Sequence, residues 1–97
     1  MEVGERIIME ERMGKALEIL QELQRDENIG KTIELYTESD KKCLVAIRGK
    51  FMDAYIRRGD VKVAIGHAED SRFGKIKYRS GPIHIPLIIN NYKYHFV

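Results

Sequence analysis

Met9, Met13, Ala16, Leu20 and Leu23 recur at alternating steps of four and three, the spacing that gathers apolar side chains on one face of an α-helix. Leu17 and Ile19 widen the stripe. It predicts one long amphipathic helix over the first quarter of the chain, Glu5 to Asn28, stopped by Gly30. Glu2 and Glu5 suit the positive end of the helix dipole. Glu2 with Arg6 and Glu11 with Lys15 are charge pairs four apart, each worth a few tenths of a kcal/mol. Gly14 opposes them, at about 1 kcal/mol relative to alanine. Such a helix spans roughly 36 Å at ~1.5 Å per residue, long enough for one end to project past a small body. The stripe packs on a sheet built by the rest of the chain or, because the same steps describe a coiled-coil seam, on a second copy. The few heptads favour a dimer that uses helix and sheet together. Met9, Met13, Leu20 and Leu23 are its interface candidates.

Beyond Gly30 the period changes from helical to alternating. In Lys31–Glu38, Ile33 and Leu35 point one way and Glu34 and Tyr36 the other, as in a half-buried strand. Glu38-Ser39-Asp40-Lys41 is a polar turn. Cys43–Ile47 is a continuous apolar run, expected to be a more buried strand closed by Gly49, with Cys43 as a small buried hydrophobe. Lys50–Arg58 fits a short helix capped by Gly59 or, preferably, one arm of a hairpin turning at Arg58-Gly59-Asp60 into Val61, Val63 and Ile65. Gly66–Gly74 is the longest polar connection. Ile76 and Tyr78 start another strand, with Lys75, Lys77 and Arg79 on its other face and Tyr78 directed inward by parity. Ile83–Ile89 returns, and Pro86, lacking an N–H, marks an edge or a bulge. Asn90-Asn91 turns the chain into Tyr92, Tyr94 and Phe96.

The expected class is therefore α+β: an N-terminal helix (1–30) and an antiparallel β-meander (31–97), open or curled into a small barrel, within one domain of 97 residues. No run of eighteen apolar residues suggests a membrane span. Glu2-Val3-Gly4-Glu5 lacks the basic and apolar regions of a secretory signal, so a cytoplasmic address is expected. The single cysteine excludes an intramolecular disulfide.

The net charge of +2 hides an asymmetry. Residues 1–30 hold eight acidic and four basic side chains, whereas residues 31–97 hold seven acidic and thirteen basic. A basic body beside an acidic arm is suited to phosphate. The candidate ligand residues are Arg57, Arg58, Arg72, Lys75, Lys77 and Arg79, where Lys75, Lys77 and Arg79 would form a row matched to a line of phosphates. Tyr92 and Tyr94 offer rings to stack on a base, and His67 in the Gly66–Gly74 connection is a further candidate ligand contact. Alternating cations also keep an ordinary sheet soluble. His67 with Glu69 and Asp70 lacks the third or fourth ligand a metal site needs, and no metal, cofactor or catalytic group is expected. His84 between Ile83 and Ile85 reads as an edge-strand residue. These residues point to a small, oligomeric, non-enzymatic binding protein for a phosphate-bearing ligand, nucleic acid or nucleotide. The alternative is a protein–protein adaptor or inhibitor, such as a phage-type accessory protein, docking through the helix stripe or a strand edge.

Overall fold

The computed structural model describes the backbone of residues 2–39 and 42–97, and side chains from residue 10 onward within those ranges. Met9, the Glu2–Arg6 pair and the expected turn residues Asp40 and Lys41 lie outside what is described. Helix α1 spans Glu2–Leu23 and a single 3-10 turn follows at Asp26–Asn28. The helix thus stops before Gly30. Asn28 explains why: its buried side-chain Nδ2 donates to the carbonyls of Glu22 at 3.1 Å and Leu23 at 3.3 Å. A side chain satisfies carbonyls that a helix end leaves unpaired, so no glycine is required there. Gly30 instead takes φ +90° where the chain enters the sheet, and its N–H donates to Phe51 O at 2.9 Å.

Six antiparallel strands follow: β1 (Thr32–Ser39), β2 (Lys42–Arg57), β3 (Asp60–Asp70), β4 (Lys77–Arg79), β5 (Ile83–Pro86) and β6 (Lys93–Phe96). The hairpin reading of Lys50–Arg58 holds, because β2 runs unbroken to Arg57 and turns through Arg58 and Gly59 into β3. The sheet order is β4-β3-β2-β1-β6, with β5 beside β4 along the same edge of β3. β4 pairs Ala68–Asp70 and β5 pairs Lys62–Ile65. β6 crosses to the far side to pair with β1. The two outer edges do not meet, so the fold is α+β with an open sheet. Pro86 ends β5 on the edge its missing N–H anticipates.

Gly49 does not close a strand. β2 passes straight through it, and the pairing with β3 is irregular at Gly49 itself, between Arg48 and Lys50, and again between Phe51 and Asp53. A Cβ at Gly49 would lie 2.8 Å from Gly66 O and 2.9 Å from Ala68 Cα, so only glycine lets the strands approach this closely. β3 likewise continues to Asp70, and the expected nine-residue loop shrinks to the segment 71–76.

The core forms where one face of α1 meets the inner face of the sheet. Ala16 and Leu23 are buried, with Ile19 and Leu20 partly so, against Ile33, Leu35, Ile47, Phe51, Val61, Val63, Ile65, Ile85 and Leu87. Phe96 packs edge-on to Phe51, their ring centroids 5.6 Å apart. Full burial of a side chain such as Leu23 contributes about 1.5–3 kcal/mol. Two expectations fail. Cys43, Leu44 and Val45 form an exposed overhang of the β1–β2 hairpin, which α1 does not cover. Tyr78 and Ile76 are also exposed, because the register pairs Tyr78 with the exposed Glu69 and pairs Arg79 with the buried Ala68, the reverse of the expected parity. Among the described residues, no helix is long and apolar enough to cross a membrane.

Candidate anion-binding cleft

The two-residue turn joining β2 to β3 holds Arg58 at φ +52° and Gly59 at φ +74°. Paired positive φ values match the right-handed twist of the flanking strands, the geometry of a tight type I′ hairpin. The turn carries Arg57 and Arg58 side by side. The next residue, Asp60, is buried and anchors the following segment. Its Oδ1 accepts from Val61 N at 2.7 Å and Ile88 N at 2.8 Å, and its Oδ2 accepts from Ile89 N at 2.8 Å. Residues 86–89 are thereby drawn against the hairpin.

From α1, Arg12 reaches the same place, with Nη2 3.7 Å from Asp60 Oδ2. Its Nε is buried without a hydrogen-bond partner among the described residues. Lys62 of β3, Pro86 and the exposed Ile89 complete the walls of a cleft of about 310 Å³. Arg12, Arg57, Arg58 and Lys62 thus line one cleft with a single carboxylate, whose oxygens already accept three backbone hydrogen bonds. Like charges held around a concave surface raise the local potential and attract anions.

The other cations singled out in the sequence are differently employed. Asp70 at the end of β3 is fully buried and takes a bidentate Arg72 (Nε to Oδ1 2.9 Å, Nη2 to Oδ2 2.8 Å) and Arg79 Nε at 3.1 Å. The Arg72 hydrogen bonds hold the Asp70 carboxyl far below the usual carboxylate range, and Asp70 in turn raises Arg72. Arg72 also lies over the Phe73 ring, 5.2 Å from its centroid. Lys75 falls in the connection before β4 and Lys77 at its start, both exposed, so Lys75, Lys77 and Arg79 do not form one free row.

Tyr92 and Tyr94 are partly buried and pack against the core. Burial, then the hydrogen bond its hydroxyl donates to Glu22 Oε2 at 2.7 Å, raises Tyr94 above the ordinary phenol value. These tyrosines border a larger cleft of about 420 Å³ between α1 and β6. It carries a smaller excess of charge: Lys15 and Lys93 stand with Glu22, Lys93 bonds Glu38 at 2.7 Å, which raises the lysine, and Glu22 accepts from Tyr94. His67, at φ +49°, lies on the outer face with Nδ1 2.9 Å from Tyr78 Oη. Among the described residues no three His, Cys, Asp or Glu side chains gather as metal ligands.

The cleft brings together Arg57 and Arg58 from the sequence candidates and adds Lys62 and Arg12. Arg12 had a signal of its own, since it stands four residues before Ala16 on the face of α1 that packs inward. A cation on a core-facing position marks a place where the helix meets something polar. No protein-family model matches this chain, and no curated protein or solved structure matches it either.

Proposed function

We propose that the protein binds a phosphate-bearing ligand, nucleic acid or nucleotide, in the cleft between α1 and the β2–β3 turn. One observation carries this reading: Arg12, Arg57, Arg58 and Lys62 converge on a single cleft whose lone carboxylate is already hydrogen-bonded to the backbone. An entering phosphate supplies acceptors to the half-exposed Arg12 guanidinium and relieves repulsion among the four cations. The test is calorimetric titration with nucleotides and a short oligonucleotide at low and high salt. Binding is expected at low salt and weakens as salt rises. Replacing Arg57 and Arg58 together by alanine should reduce affinity at least about 100-fold, since a hydrogen bond to a charged group contributes roughly 1.5–3 kcal/mol. Absence of binding at low salt, or affinity indifferent to both substitutions, defeats the proposal.

A second reading, docking of a protein partner or a second copy, rests on a different surface. Met13 and Leu17 are 39% and 47% exposed on the flank of α1, and the outer edge of β6 is unpaired in the sheet. Leu20 and Leu23 face the core, so Leu17→Glu probes this surface without disturbing the fold. Light scattering should report a smaller species for the variant if that flank is an interface.

A further inference from the structure

We infer that the ligand is a free nucleotide bearing two or three phosphates, rather than a nucleic-acid strand, and that its base rests on Tyr55. This inference rests on the phosphate-binding reading above. A strand needs cations along a track, because its charges repeat along its length. Here four of them converge on one cleft beside the β2–β3 turn. Farther along the outer face Arg48 lies 3.5 Å from Glu34, His95 2.6 Å from Glu34 and Lys93 2.7 Å from Glu38. At the far end of β3, Arg72 and Arg79 are held by Asp70. Lys50, Lys75 and Lys77 are exposed and in no ion pair among the described residues, but Lys50 stands opposite Gly66 and Lys77 opposite Asp70, toward the other end of β3, so they do not continue the cleft as a track.

Charge sets the size of the anion. Four cations against one carboxylate leave an excess of three positive charges among the described residues. A single phosphate ester, with about −1.5 to −2 at neutral pH, leaves part of that excess unmatched, whereas a diphosphate or triphosphate covers it. The volume of about 310 Å³ also falls at the lower end of small-molecule sites.

The place for a base follows from strand register. Lys62 pairs with Tyr55 on one side and with Pro86 on the other, so these three side chains form one rung across β2, β3 and β5. Directly opposed residues on neighbouring strands project to the same face about 5 Å apart. Tyr55 is fixed in place: its hydroxyl lies 3.0 Å from His84 Nδ1, and the two rings are tilted at 60° with centroids 5.8 Å apart. Tyr55 does not itself line the cleft but stands beside two residues that do, Lys62 and Pro86, and a ring so placed is a platform for a base whose phosphates occupy the cleft.

The test compares ADP, ATP, inorganic pyrophosphate and a twelve-nucleotide oligothymidylate by calorimetry, using wild-type protein and the Tyr55→Ala and Tyr55→Phe variants. ADP is expected to bind about tenfold more tightly than pyrophosphate. Tyr55→Ala should erase that difference without changing pyrophosphate affinity, while Tyr55→Phe, which keeps the ring, should retain it. The oligonucleotide should bind more weakly than ATP. If the oligonucleotide binds more tightly, with a salt slope indicating more than about four phosphate contacts, the nucleotide inference falls and phosphate binding stands. If pyrophosphate equals ADP in wild type and Tyr55→Ala alike, the base platform is refuted while the anion cleft survives. If none of the four ligands binds at low salt, both fall together.

Discussion

Arg58 occupies the first position of a type I′ turn at φ +52°, a conformation that disfavours an L-residue with a Cβ by roughly 1–2 kcal/mol. Asparagine, aspartate and glycine are the usual occupants, because they adopt positive φ with least strain. Asn91 at φ +54° shows the ordinary solution elsewhere in this chain. Strain borne by an arginine at the lip of a cationic cleft is the pattern expected where charge matters more than turn stability. The two effects separate by substitution. Arg58→Asn should raise unfolding stability by about 1 kcal/mol, an increase in Tm of roughly 4–8 °C for a domain of this size. The same change should weaken anion binding about tenfold. Denaturant melts and titrations of one protein preparation read both. A variant that is less stable, or that binds as wild type does, contradicts this account of Arg58.

β2 organises the sheet, since its first half pairs β1 and its second half pairs β3, and the change of partner centres on Gly49. Two of the atoms a Cβ would strike there belong to backbone, and the third, Ile65 Cγ2 at 2.6 Å, belongs to a buried side chain. Gly49→Ala should therefore destabilise by about 2–3 kcal/mol, at the upper end of ordinary overpacking. Gly14 in α1 is the internal control. Nothing lies within 4 Å of its would-be Cβ, so Gly14→Ala should stabilise by about 1 kcal/mol through helix propensity alone. Urea denaturation of the two variants tests whether glycine acts through space or through propensity at each site. This contrast also marks where the sequence ceases to be legible. The helix stripe and the alternation in β1 report which residues share a face; Ala16, Leu20 and Leu23 pack inward as read, as do Ile33 and Leu35, whereas Met13 and Leu17 of the same stripe are exposed. Periodicity carries no record of what lies over a face, so Cys43, Leu44 and Val45 looked buried when α1 does not reach them. A glycine that ends a strand and one that permits close approach are also identical in one dimension. The cleft obeyed the same limit: the turn signal exposed Arg57 and Arg58, whereas Arg12 joins them only through tertiary packing.

Across the whole molecule, charge is sorted less by face than by whether each cation has a fixed partner. Glu10, Glu11, Glu18 and Glu22 lie exposed along α1. Arg72 and Arg79 are held by a buried carboxylate, Arg48 by the half-buried Glu34, Lys93 by the exposed Glu38, and the four cations of the cleft have one carboxylate, Asp60, among them. Exposed pairs contribute between nothing and about 1 kcal/mol and weaken with salt, so the β1–β6 edge depends little on Lys93–Glu38. Asp70 is different, because its side chain is 1% exposed and its two guanidinium partners join the end of β3 to β4 and to the connection between them. The hydrogen bonds from Arg72 depress its folded-state pKa below the ordinary value of 3.8. A depressed carboxyl gives stability that is present above the unfolded pKa and is lost as pH falls toward the folded one. Wild-type stability should therefore decline from about pH 5 downward, even in salt high enough to screen surface pairs. Asp70→Asn should lose about 3 kcal/mol at neutral pH, since it removes one partner of a buried ion pair. The variant should also show a shallower acid limb, having no charge left at that position to neutralise. Urea unfolding of both proteins from pH 7 to pH 3 measures the two effects together. Parallel acid limbs would place the acid sensitivity elsewhere, even if the neutral-pH loss appeared in full.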